Sequence, residues 1–139
     1  MADFQRILSA TAPLTLASVT RGAQPLVMAD LARAAKGRAV FIADNEAAMS
    51  AIAEAAKFFA PELDVLEFPA WDCLPYDRAS PGLSVSGRRL AALYRLQAKR
   101  KGPQLLVTTA NALLQRVLTP FRIRESVRLL KPGMEIGHE

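Results

Sequence analysis

The stretch Ser18-Val19-Thr20-Arg21-Gly22-Ala23-Gln24-Pro25-Leu26 stands where a phosphate-binding loop would join a first strand to a first core helix. Such a loop needs glycines that let backbone N–H groups surround phosphates, a lysine for the β/γ oxygens, and a Ser/Thr hydroxyl for magnesium. Gln24 and Pro25 hold the lysine and Ser/Thr positions here, and Pro25 also removes one N–H that a nest of donors would use. The residues favour an ordinary strand-to-helix turn, so no cofactor is expected on Arg21, Gly22, Ala23, Gln24 and Pro25.

The segment Phe68-Pro69-Ala70-Trp71-Asp72-Cys73-Leu74-Pro75-Tyr76-Asp77-Arg78-Ala79-Ser80-Pro81 holds the sole tryptophan and three of the nine prolines, on a long loop after a strand. Loops of this length are often functional. Asp72 and Asp77 have the types for an acid/base pair or a magnesium site. Without a histidine, further clustered acids or a competent phosphate loop, helix capping, turn formation or pairing with Arg78 suits them better. Trp71 and Tyr76 read as apolar anchors that pin a proline-stiffened loop, and Cys73 as a small packed side chain with no base to activate it. One cysteine and one histidine, His138, cannot assemble a zinc cluster, a disulfide or a nucleophile–histidine couple, so no metal and no catalytic residue is expected.

Charge is unevenly placed. The chain carries 18 Lys/Arg against 13 Asp/Glu, a net +5. Residues 1–77 hold six basic and ten acidic side chains, whereas 78–139 hold twelve and three, and from Arg78 to Arg124 there is no acid. A helix expected over about Ser86–Lys101 places Leu90, Leu93 and Tyr94 on one side and Arg88, Arg95 and Lys99 on the other. That basic side is either a solvated or interdomain face or a surface for nucleic-acid phosphates.

The elements that must position these residues repeat one theme, a short apolar run followed by a helical period. The runs are Thr15–Val19, Ala39–Ala43, Val65–Phe68 and Leu105–Thr109, continuous as expected of strands covered on both faces. A leader helix is expected over Asp3–Ala10. The helix from about Ala23 to Lys36 has Pro25 in its first turn, Gly37 past its end and the stripe Met28, Leu31, Ala32, Ala35. The next, capped by Asp44, should bury Met49, Ile52, Ala53, Ala56 and Phe59. A last helix, Asn111–Leu118, is stopped by Pro120. Four strand-then-helix units imply an α/β fold, a three-layer parallel sheet with helices on both faces. With 139 residues, 51% hydrophobic and 22% charged, the chain can bury a sizeable core, and no apolar run approaches the ~20 residues of a membrane span. Neither a basic n-region nor a hydrophobic block opens the sequence, so a cytoplasmic location and no membrane partner are expected. Ser126–Leu130 reads as a further strand before a Lys131-Pro132-Gly133 turn, an ending that suggests a piece of a longer protein.

Phe68-Pro-Ala-Trp-Asp-Cys-Leu-Pro-Tyr-Asp77, Ser80-Pro81, Arg89-Leu-Ala-Ala-Leu-Tyr-Arg-Leu96 and Leu106-Val-Thr-Thr-Ala-Asn-Ala-Leu-Leu-Gln-Arg116 together resemble the N-terminal region of the bacterial transcription-repair coupling factors (Mfd). The likeness covers essentially the whole chain, with Trp71, Asp72, Pro75, Tyr76, Asp77, Pro81 and Arg89 as its structural motif. That region is similar to the excision-repair protein UvrB, whose phosphate loop has the form G-V-T-G-S-G-K-T. On that pattern Val19 and Thr20 match, while Arg21, Ala23, Gln24 and Pro25 replace the two later glycines, the lysine and the threonine. The resemblance therefore implies a degenerate P-loop NTPase (RecA/helicase)-like domain, with residues 1–125 its first subdomain and 126–139 the start of the next. UvrB's DNA-gripping hairpin has no room between Pro81 and Ser86. In the family, the whole protein is an ATP-driven DNA translocase that displaces stalled RNA polymerase and recruits excision repair through UvrA. ATP and magnesium belong to its motor domains, and DNA, RNA polymerase and UvrA are partners reached through the parent.

Three readings follow. The leading one is a non-catalytic scaffold that packs against other domains of a repair translocase. The alternative is a non-specific nucleic-acid-binding module using helix 86–101. The third, a small enzyme using Asp72 and Asp77, lacks a second proton-transfer group.

Overall fold

The computed structural model describes residues 4–74, 80–127 and 132–133. Its elements in chain order are helix α1 (Phe4–Leu8), a 3-10 turn (Arg21–Ala23), α2 (Gln24–Ala35), β1 (Arg38–Ala43), α3 (Glu46–Phe59), β2 (Asp64–Phe68), α4 (Leu83–Gln97), β3 (Gln104–Thr109), α5 (Ala110–Leu114) and α6 (Pro120–Ser126).

The three strands form one parallel sheet in the order β1-β3-β2. Strand alternation divides their side chains between two cores. Ala39, Phe41, Val65, Leu105 and Val107 meet Ala29 and Ala32 of α2 and Met49, Ile52, Ala53 and Ala56 of α3. On the other face, Leu66, Phe68 and Leu106 meet Ala92 of α4 and Ala112 of α5. β3, covered on both faces and paired on both edges, is buried throughout. The expected three-layer α/β arrangement with helices on both faces is therefore present. α4 packs over β2 rather than β1, which leaves Val40 and Ile42 of β1 exposed on the α4 face.

Among the described residues the sheet has three strands where the sequence offers four strand-then-helix units. Thr15–Val19 forms none: a turn occupies Ala17 and Ser18, Ser18 takes φ 62°, and Leu14 and Leu16 remain exposed. The run has too few large apolar side chains to anchor an extended segment, and the left-handed residue interrupts it. Helix bounds shift for local reasons. Of the expected α2 stripe, Ala32 is fully buried, Met28 packs against the core and Leu31 is half-buried, while Ala35 is exposed and Pro25 and Ala29 are buried in addition. α3 is capped by Asn45, not Asp44: the Asn45 side chain accepts from the Ala48 N–H at 2.9 Å. Phe59 is 47% exposed, turned edge-on to Phe58 instead of into the core. α4 begins three residues earlier than expected and ends at Gln97, with Ala98 extended, so Lys99–Lys101 belong to a loop. α5 stops at Leu114, and Pro120 opens α6 rather than ending a helix, at a position where its missing N–H costs nothing. Ser126 closes α6; the remainder of the expected strand, 128–130, lies outside the described residues.

Candidate functional site

The C-terminal ends of parallel strands are where α/β proteins gather ligands, most of all where consecutive connections leave toward opposite faces. β1 leads to α3 on one face and β3 leads to α5 on the other, so the gap between β1 and β3 has that character. A glutamate occupies it. The Glu46 carboxylate, at the N-terminus of α3 directly after β1, accepts the Ala70 N–H beyond β2 at 2.9 Å and the Thr109 hydroxyl at the end of β3 at 3.3 Å. One side chain thus ties together the exits of all three strands and places its own negative charge where a helix N-terminus would otherwise attract an anion.

Beside it lies a cleft of about 510 Å³. Arg21, Gly22, Gln24 and Pro25 of the expected loop line it, with Asp44 after β1 and an apolar wall from Phe41, Ile52 and alanines of α3. No strand leads into this loop; the 3-10 turn runs straight into α2, whose second residue is Pro25. Adding a Cβ at Gly22, which stands at the serine position of the loop pattern, would meet nothing within 4 Å, so close packing does not require a glycine there.

The second constellation centres on Arg89, at 1% exposure. Its guanidinium carbon lies 4.2 Å from the centre of the Phe68 ring and 4.3 Å from that of Trp71, and Nη1 donates to the Pro69 carbonyl at 2.5 Å and to Gln115 Oε1 at 3.1 Å. Gln115 Oε1 also accepts the Trp71 N–H at 2.8 Å. Burial pushes the guanidinium below its ordinary range, against the attraction of Glu46, and Nε and Nη2 have no hydrogen-bond partner among the described residues. Asp72 accepts the Gly82 N–H at 3.0 and 3.2 Å through its two oxygens, closing the long loop onto the start of α4. Trp71, Cys73 and Pro81 are half-buried. Pro75, Tyr76 and Asp77 lie outside the described residues. Arg89 was foreseen as part of the motif, but its partner Gln115 and the strand-end Glu46 were not. Glu46 resembles any acidic residue in a helix's first turn, and only the parallel register brings Thr109 and Ala70 to it.

The basic residues divide. Arg88 and Arg95 are exposed on α4, and Lys99 lies beyond the helix in the loop before β3, so the three do not form one helical stripe. Arg95 is paired with Asp64. The other cations of that loop, Arg100 and Lys101, stand near Lys36 rather than near Arg88. Among the described residues no group of three His, Cys, Asp or Glu side chains is placed to hold a metal ion, and no helix is long and apolar enough to cross a membrane.

No family model matches the chain. Seven curated relatives do, and all are named transcription-repair-coupling factor. The Haemophilus influenzae protein is 41% identical over 70 residues, 50% of this chain and 6% of its own length. The Rickettsia bellii protein is 32% identical over 78 residues, 56% of this chain and 7% of its own length. The Escherichia coli protein is 28% identical over 125 residues, covering 89% of this chain and 10% of its own length. These matches bear out the resemblance drawn from the proline-rich segment and α4, and they span only about a tenth or less of each relative.

Proposed function

We propose that this chain is a non-catalytic scaffold domain of a transcription-repair coupling factor. It shapes the UvrB-like module of a cytoplasmic, ATP-driven DNA translocase that releases RNA polymerase stalled at lesions and recruits excision repair through UvrA. Residues 1–125 form the first subdomain of that module and 126–139 begin its neighbour. The ancestry is a P-loop NTPase whose loop at Arg21–Pro25 has degenerated, with ATP and magnesium used by motor domains elsewhere in the parent.

The observation that carries this reading is Glu46. A nucleotide triphosphate would bring several negative charges to the strand exits, where a carboxylate already holds the available Ala70 N–H and Thr109 hydroxyl. Like charges at that range repel, and the neighbouring loop offers no lysine to offset them. The Arg89 hub fits the same role, since it fixes the proline-rich loop on the sheet's end and thereby fixes the surface shown to neighbouring domains.

Isothermal titration of the chain with ATP and magnesium tests the proposal. The expected result is no saturable binding up to millimolar nucleotide. Micromolar binding that Arg21→Ala or Gln24→Ala abolishes would overturn it.

A further inference from the structure

At the opposite, N-terminal end of the sheet, two loops bring basic residues together that are over sixty positions apart in the sequence. Arg38 of β1 pairs in register with Gln104 of β3, and the Gln104 N–H donates to the Gly37 carbonyl at 3.0 Å. Lys36–Arg38 therefore lies against Lys99–Pro103. Arg100 reaches across: a Cβ added at Gly37 would sit 3.3 Å from its Nη1. The Arg38 guanidinium is held below its ordinary range, first by burial and then by the charge of Arg100. Between the loops is a cleft of about 300 Å³ lined by Arg33, Lys36, Arg100, Lys101, Gly102 and Pro103, with no acidic side chain in its wall.

The nearest acids are already engaged. Asp30 and Glu62 hold Arg33 at 2.7 and 2.5 Å, and Asp64 holds Arg95. Arg38 is directed inward to Gln104 Oε1 at 2.5 Å and the Leu96 carbonyl at 3.1 Å. Lys36, Arg100 and Lys101 on this cleft and Lys99 on the adjoining one, which Glu62 and Asp64 also line, remain, four exposed cations with no ion-pair partner among the described residues. Unbalanced positive charge of this density repels itself and draws counter-ions, which a polyanion releases on binding. The cleft wall is cationic, glycine and proline, with no aromatic platform and no apolar pocket. It therefore suits a partner whose charge is carried on its backbone and is read without regard to side groups.

We propose that the paired loops Lys36–Arg38 and Lys99–Lys101 form a docking surface for the phosphate backbone of nucleic acid, sequence-independent and distinct from the exposed face of α4. This goes beyond the scaffold role, which requires no nucleic-acid contact by the domain itself.

The test is fluorescence anisotropy of a short labelled DNA duplex of mixed sequence titrated with the full chain over a series of salt concentrations. Four neutralised phosphates give a slope of log affinity against log salt of about −3.6, a loss of roughly 150-fold between about 50 and 200 mM. The double variant Lys36→Gln/Lys101→Gln should flatten that slope by about 1.8, with its circular dichroism and melting curve unchanged. Arg88→Gln should leave the slope as it is. Absence of binding at low salt, or a slope unmoved by the double variant, would overturn the proposal. So would poly-aspartate binding as tightly as the duplex at matched charge, because the surface would then fit an acidic polypeptide.

Discussion

Replacing Arg89 separates two ways in which a buried cation can hold a loop. In the native fold its flat guanidinium fills the space between Phe68 and Trp71, and its Nη1 ties the Pro69 carbonyl to Gln115. Arg89→Ala empties the space between the rings and leaves the Pro69 carbonyl without this donor. A buried site losing both a large side chain and its charged donor costs about 3–5 kcal/mol. Arg89→Met keeps an unbranched stem between the rings and loses only the donor. It also removes a buried charge that has two nitrogens without acceptors among the described residues, a desolvation cost the native fold carries. The expected net loss for methionine is therefore about 1–2 kcal/mol. At roughly 3 °C per kcal/mol for a chain of this size, the melting temperature falls by about 9–15 °C for alanine and 3–6 °C for methionine. Circular dichroism reads the global transition, and the sole tryptophan, Trp71, reports by fluorescence on the same contact. Equal shifts in the two variants, or a larger one for methionine, would refute the claim that packing between the rings outweighs the charge.

Two further outcomes follow from local geometry. A Cβ at Gly82 would lie 2.6 Å from Asp72 Oδ2, so Gly82→Ala should displace the Asp72 carboxylate from the Gly82 N–H and cost about 1 kcal/mol, with Asp72→Ala costing about the same and the double variant no more than either; urea unfolding of the three chains measures the coupling. The Glu62 carboxyl is held below its ordinary value of 4.5, first by the hydrogen bond from its own backbone N–H and then by Arg33. A depressed carboxyl contributes above its unfolded value and loses that contribution as pH falls through the folded one, so stability should decline below about pH 4.5, and Glu62→Gln should flatten that part of the urea midpoint-against-pH curve.

Periodicity was enough to locate three strands and the helices between them, because Ala39–Ala43, Val65–Phe68 and Leu105–Thr109 combine apolar runs with flanking helices that have somewhere to bury an inward face. It failed at Thr15–Val19 because a short mixed run carries the same signal whether extended or looped, and what decides is whether a neighbouring strand edge receives it. Among the described residues no strand pairs with the outer edge of β1, and Ser18 at φ 62° interrupts an extended run at Thr15–Val19. The same limit misplaced Lys99, whose spacing from Arg88 and Arg95 fits a helix that ends two residues too early, at Gln97.

The chemistry of the site was legible where it rested on residue type and hidden where it rested on register. That Gln24 and Pro25 lack the ammonium and hydroxyl of a triphosphate loop is a statement about side chains and needs no fold. That Glu46 meets Ala70 and Thr109, 24 and 63 positions away, depends on three parallel strands ending at one level. Lys36 and Arg100 are brought together by the other end of the same register. The two ends of the sheet thus differ for one structural reason: a carboxylate follows β1 at its exit, near the buried Arg89, and basic loops precede β1 and β3 at their entry. A triphosphate at the strand exits would meet the Glu46 carboxylate, whereas a phosphate backbone at the strand entries would meet Lys36, Arg100 and Lys101. Any nucleic-acid contact made by the domain is therefore independent of nucleotide, and adding ATP with magnesium should leave its affinity for a DNA duplex unchanged.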